Sequence, residues 1–170
     1  MNAILRMPDG LFTEILMHLL PPGSEREEAA FLFVRPVEGE NGVFDVIESQ
    51  KLTAADFQCQ FEDYLELADD TRARLIKRAH DLDASLVEMH SHPGPYPAGF
   101  SFADRRGLKD TVPNIWWRLK KRPYFAIVVA PTGFDALAWL TDPHIPLPLT
   151  AIQSGDELLR PTNNSLGGWG

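Results

Sequence analysis

Residues 90–104, HSHPGPYPAGFSFAD, carry the side chains best suited to chemistry in this chain. On an extended strand, residues i and i+2 point to the same side, so His90 and His92 can offer two imidazoles to one ion. Pro93 stops the strand directly after the second histidine. Three prolines and two glycines make 93–99 a loop. Ser101 then opens a helix, and Asp104 falls in its first turn, where its carboxylate can swing back toward the strand end. Two imidazoles and one carboxylate leave the fourth position of a tetrahedral zinc open, the arrangement of a catalytic rather than a structural site. Ser101 and Asp104 are also good helix-capping residues, and capping does not conflict with ligation.

The elements that must position these groups are legible in part. Phe12, Ile15, Leu16 and Leu19 recur at helical spacing and predict a helix over about 11–20, ended by Pro21-Pro22-Gly23. Ala29 to Val34 reads as a buried strand and Val43 to Ile47 as its returning partner across a turn at 39–42. Residues 49–68 give no clear pattern. Asp69, Asp70 and Thr71 start a helix whose buried face is Leu75, Ile76, Ala79 and Leu82. Ser85 to His92 reads as a strand. Leu108 and Val112 fit the buried face of the helix opened by Ser101, and Pro113 is expected to break or kink it. Tyr124 to Ala130 and Phe134 to Leu140 form a hairpin across Pro131-Thr132-Gly133. Of the adjacent tryptophans Trp116 and Trp117, at least one is core, because neighbours on a helix face different ways. The alternation of helix and strand predicts an α/β (α+β) sandwich of helices on a mixed sheet. It forms one domain over 1–140, followed by an extended C-terminal tail, 141–170.

Bulk properties narrow the function. A chain of 170 residues suits one hydrophobic core. The formal net charge of -8 argues against nucleic acid as the main partner. No apolar run reaches the roughly 18–20 residues that span a bilayer, and the first residues lack the pattern of a signal peptide, so no membrane partner and a cytoplasmic location are expected. The single cysteine, Cys59, excludes an internal disulfide and a four-thiolate zinc site, and it reads as a small packed residue. His18, His80 and His144 lack ligand spacing.

At residues 90–104 the sequence resembles the JAMM (MPN-plus, JAB) metalloprotease family, whose signature is H-[ST]-H-P, seven residues, then S-x-x-D. Here His90-Ser91-His92-Pro93 is followed by the seven residues Gly94 to Phe100 and then Ser101-Phe102-Ala103-Asp104. The resemblance extends over about 3–140 through the order of elements. It implies an MPN/cytidine-deaminase-like mixed sheet flanked by helices, and one zinc per chain on His90, His92 and Asp104. It implies Ser101 as hydrogen-bond donor to the oxyanion. It also implies an upstream glutamate as general acid/base, in the local pattern E-x-x-G-x-L. Glu28 fits that place best, just before the first apolar strand, although Phe31 stands at the glycine position. A one-residue slip would favour Glu27, and Glu25 is a further competitor.

The resemblance implies a zinc isopeptidase or peptidase that cuts after the C-terminal tail of a ubiquitin-like protein. Its partners would be that protein or its conjugates, together with an E1/E2-like system. By analogy with prokaryotic relatives, such a system would act in bacterial ubiquitin-like conjugation or anti-phage defence. The 49–68 segment is the natural place for a substrate-contacting insertion. Two other readings stand beside this one: a metal-free MPN scaffold that binds other proteins, and a zinc hydrolase of a small amide or peptide. Glu88 shares a strand face with both histidines. It either orients an imidazole or turns to solvent or a basic neighbour.

Overall fold

The computed structural model describes residues 2–165, 167 and 169. The chain runs β1 (Ile4–Met7), α1 (Leu11–Leu19), β2 (Ala29–Pro36), β3 (Val43–Lys51), a 3-10 turn (Ala54–Asp56), β4 (Phe57–Gln60) and β5 (Leu65–Leu67). It continues through α2 (Asp69–Asp81), β6 (Ser85–Ser91), α3 (Phe102–Arg118), β7 (Tyr124–Ala130), β8 (Gly133–Trp139), β9 (Leu147–Pro148), β10 (Ala151–Ser154) and β11 (Glu157–Leu159). Nine strands form one mixed sheet in the order β11-β10-β1-β3-β2-β6-β7-β8-β9, and β4 and β5 form a separate hairpin.

The sheet separates two apolar layers, and strand parity decides which residue enters which. On β2, Ala30, Leu32 and Val34 pack with Phe12, Ile15 and Leu19 of α1. Ala29, Phe31 and Phe33 point the other way, toward Leu75, Ile76 and Ala79 of α2 and Leu108, Val112, Ile115 and Trp116 of α3. β7, YFAIVVA, is buried along its whole length because it is covered on both faces. The architecture is a mixed α/β sheet flanked by helices, α1 on one face and α2 with α3 on the other.

Several details depart from the sequence expectations. Pro113 does not break the helix; α3 runs through it to Arg118. Val112 on one side of the proline, and Ile115 and Trp116 on the other, are all buried against the sheet. That packing outweighs the cost of about 3 kcal/mol for an interior proline. As the helical spacing predicts, one of the adjacent tryptophans, Trp116, is core, and Trp117 is exposed. The region beyond 140 is not an extended tail. Within it, β9, β10 and β11 join the main sheet, with β10 pairing in parallel with β1. The domain therefore continues past 140. Pro148 is tolerated within β9 because β9 is an edge strand, where a missing N–H costs no ladder bond, and Pro143, Pro146 and Pro161 fall outside the strands.

A surface ion pair ties α2 to β3. Arg78 donates from Nε and Nη2 to the two carboxylate oxygens of Glu48, at 2.8 and 2.6 Å. The guanidinium holds the Glu48 carboxyl below its usual range, against a smaller opposing effect of burial. A carboxyl lowered in the folded state contributes stability above its unfolded value. That contribution is lost as pH falls through the folded value. The stability difference between wild type and Glu48→Gln should be largest at neutral pH and shrink as pH falls through and below the usual carboxylate range, as read from urea unfolding midpoints.

Candidate metal centre

β6 brings the two histidines together. Its register against β2 pairs His90 with Ala29 and Glu88 with Phe31, so His90 and Glu88 lie on the α2/α3 side of the sheet. His92 lies just past the strand end, where its N–H still donates to the Val129 carbonyl at 2.8 Å. Ser91 turns to the opposite face and is fully buried. Its Oγ accepts from the Glu28 N–H at 2.9 Å, and its own N–H donates to the Glu28 carbonyl at 3.0 Å. That pairing stitches the start of β2 to the motif strand. Ser91→Ala leaves a part-buried N–H unpaired and should destabilise by about 1 kcal/mol, whereas Ser91→Thr keeps the acceptor; urea unfolding of both variants checks this.

α3 supplies the third group. Ser101 is its N-cap. Ser101 Oγ accepts from the Asp104 N–H at 3.0 Å, and Asp104 Oδ2 accepts from the Ser101 N–H at 2.9 Å. This reciprocal box fixes the first turn so that Oδ2 also faces the imidazoles. Asp104 Oδ2 lies 3.2 Å from His90 Nε2 and 3.1 Å from His92 Nε2, and the two Nε2 atoms are 3.2 Å apart. The Ser101 hydroxyl proton remains free to donate.

Glu27 completes the cluster. It is only 5% exposed, and its Oε2 is 3.8 Å from His92 Nε2. Glu27, His90 and His92 form a group whose ligand atoms lie within 4.8 Å of one another, close enough to hold a metal ion. Asp104 meets both imidazoles at shorter range than Glu27 meets His92, so the two carboxylates are not equivalent. The β4–β5 hairpin holds Glu27 in place. The Glu27 N–H donates to the Phe61 carbonyl at 2.9 Å, and the Gln60 amide donates to the Glu27 carbonyl at 2.9 Å.

The structure does not bring Glu28 to the cluster. Its carboxylate pairs with Arg26 at 3.3 Å. The physical reason is parity: Glu27 lies two residues before Ala29, in step with the α2/α3 face, and Glu28 is in step with Ala30 and the opposite face. The sequence held that signal. Read from Glu27, the E-x-x-G-x-L pattern places Ala30 at the glycine position and Leu32 at the leucine. Glu25 lines the cleft along the proline loop, and among the described residues it makes no hydrogen bond or ion pair to the cluster. His18 instead approaches the Ala29 carbonyl at 3.0 Å.

The electrostatics follow from this packing. Burial pushes the His90 imidazolium down, but the Asp104 carboxylate, through charge and hydrogen bond, together with Glu27 and Glu88 lifts His90 to about 9. Burial raises Asp104, and the two imidazoles reverse that and hold it well below the carboxylate range. Glu27 is pushed up by burial, partly offset by the histidines. Glu88 is half-buried and lines the cleft under the hairpin together with Arg72. It accepts from the Tyr124 hydroxyl at 2.6 Å, and burial pushes its carboxyl up.

The cluster sits where two clefts meet. One, of about 280 Å³, runs under the hairpin between α2 and α3 and is lined by Glu27, Phe31, Arg72, Glu88, His90 and Asp104. The other, of about 530 Å³, follows the proline loop and includes Glu62, His92, Tyr96 and Ser101. Glu27 and Asp63 border both.

No family model matches the chain, and no curated protein matches it. Among solved structures, it is similar to the solution structure of protein DSY2949 from Desulfitobacterium hafniense. The identity is 16%, the TM-score 0.53, and the alignment covers 88% of this chain and 93% of that one. This likeness shows the fold. Among the described residues, no helix is long and apolar enough to cross a membrane.

Proposed function

We propose that the chain is a zinc-dependent peptidase or isopeptidase of the JAMM type, acting after the C-terminal tail of a ubiquitin-like protein. One observation carries this reading: His90 Nε2, His92 Nε2 and Asp104 Oδ2 converge to 3.1–3.2 Å of one another. Ligands about 2.0–2.1 Å from a tetrahedral ion lie roughly 3.3 Å apart, so the spacing fits zinc. A shared proton makes one good hydrogen bond among three such atoms, whereas a cation between them satisfies all three. The donor set of two imidazoles and one carboxylate suits zinc as well.

His90, His92 and Asp104 would hold the ion. Zinc in that set supplies a Lewis acid and a water nucleophile at neutral pH. Glu27 is the general acid/base in this reading: its carboxylate takes a proton from the attacking water and returns it to the leaving amine. Burial favours such a role by raising its proton affinity. The Ser101 hydroxyl donates to the carbonyl oxygen as negative charge develops there. An extended substrate tail would cross the cluster from one cleft to the other, beneath the β4–β5 hairpin. The match of His90-Ser91-His92-Pro93 and Ser101-Phe102-Ala103-Asp104 to the JAMM signature supports the same assignment.

A panel of ubiquitin-like fusions, incubated with and without chelator, tests the proposal. Cleavage at the tail that stops on chelation and returns with zinc is the expected result. A purified chain that takes up no zinc, or cleavage that survives His92→Ala, would overturn it.

A further inference from the structure

Among the described residues, no hydrogen bond joins two residues of the loop between the histidines and α3. Three of its residues are proline and lack an N–H. Among the described residues, every hydrogen bond made by 93–100 goes to Thr162, Asn164 or Ser165. Phe100 N–H donates to Ser165 Oγ at 2.7 Å. The Ala98 carbonyl accepts from Thr162 Oγ1 at 2.8 Å and from Asn164 Nδ2 at 3.0 Å. Ala98, Phe100 and Ser165 are all buried.

The other side of this contact is anchored in the sheet. Asp135 of β8 is a buried carboxylate. Its Oδ1 accepts from the Asn163 N–H at 3.0 Å and its Oδ2 from the Ser165 N–H at 2.9 Å. The Thr162 N–H donates to the Phe134 carbonyl at 2.9 Å. A chain of bonds therefore leads from β8, through 162–165, to Phe100, the residue before the α3 N-cap.

We propose that Ser165 and Asp135 are positioning residues for the metal centre: segment 162–165 clamps the proline loop to β8 and so fixes Ser101 and Asp104 over His90 and His92. The metal part of this inference rests on the zinc reading above. The clamp lies 61 residues beyond Asp104 in sequence, counting to Ser165. It supplies from outside the rigidity the loop cannot generate internally, as partners behind a ligand do in metal sites generally.

The test uses the full chain and two readouts. Zinc affinity is measured by competition with a chromophoric chelator. Amide exchange at Ser101 and Asp104 is followed in zinc-free protein, with β7 amides as the internal reference. Ser165→Ala should weaken zinc by roughly 10-fold or more and speed exchange at both amides while β7 is unchanged. Ser165→Thr, which keeps the hydroxyl, should restore both. If Ser165→Ala does not fold, Thr162→Val, which removes the bond to the Ala98 carbonyl, carries the same test. Unaltered zinc affinity and unaltered exchange in a folded variant overturn the clamp. Accelerated exchange in a chain whose wild type takes up no zinc supports the clamp and overturns the metal reading instead.

Discussion

Glu27→Gln should load zinc as the wild type does and lose about 100- to 10,000-fold in kcat, the usual contribution of a positioned general acid/base. The substitution is nearly isosteric. It leaves the backbone bonds to Phe61 and Gln60 untouched and removes only the ability to carry a proton. Glu28→Gln should stay near the wild-type rate, because the Glu28 carboxylate faces Arg26 rather than the histidines. Kinetics on a cleaved ubiquitin-like fusion, alongside metal analysis, separate the two. A silent Glu27→Gln with an inactive Glu28→Gln would reverse the assignment of the base.

Asp104→Ala should act one step earlier, on the metal itself. The side chain touches both imidazoles and also caps α3. Its loss should cost more in zinc affinity than the 10- to 100-fold typical of a group behind a ligand. It should also reduce stability, because the Ser101 N–H at the helix start loses its acceptor. Asp104→Asn distinguishes the effects: an amide oxygen can still accept from Ser101, so stability should recover more fully than zinc affinity. Metal titration and urea unfolding of the two variants provide the check. Zinc affinity in Asp104→Ala equal to wild type would remove Asp104 from the ligand set and leave Glu27 as the carboxylate nearest the histidines.

The motif residues were legible because their spacing is local. His90 and His92 need only strand alternation, and Ser101 and Asp104 need only a helix start. Glu27 was harder. Its place depends on which face of β2 meets α2 and α3, and adjacent glutamates differ only in that parity. Leu75, Ile76, Ala79, Leu108 and Val112 were readable as a buried face from helical periodicity. β1 was missed because four residues carry too little pattern. β9 to β11 were missed because two to four residues each, among prolines and glycines, imitate a coil. β1 and β10 pair with each other across 147 positions, a relationship that no local window contains, and β11 is in register only through its hairpin with β10. Asp135 and Ser165 fall in the same class: an acid within an apolar strand and a serine near the end acquire meaning only once the chain has folded back.

The parallel pairing of β1 with β10 bears on how the protein is made. Ala3 and Thr150 bond across 147 positions, and Ile4 aligns with Ala151. As the chain leaves the ribosome, β1 can pair early with β3 but must present its other side unsatisfied until β10 has emerged. Such a contact closes late and slowly, and an unpaired edge exposed in the meantime is open to association with other chains. Nascent chains stalled before β10 should therefore depend on chaperones more than the finished protein does.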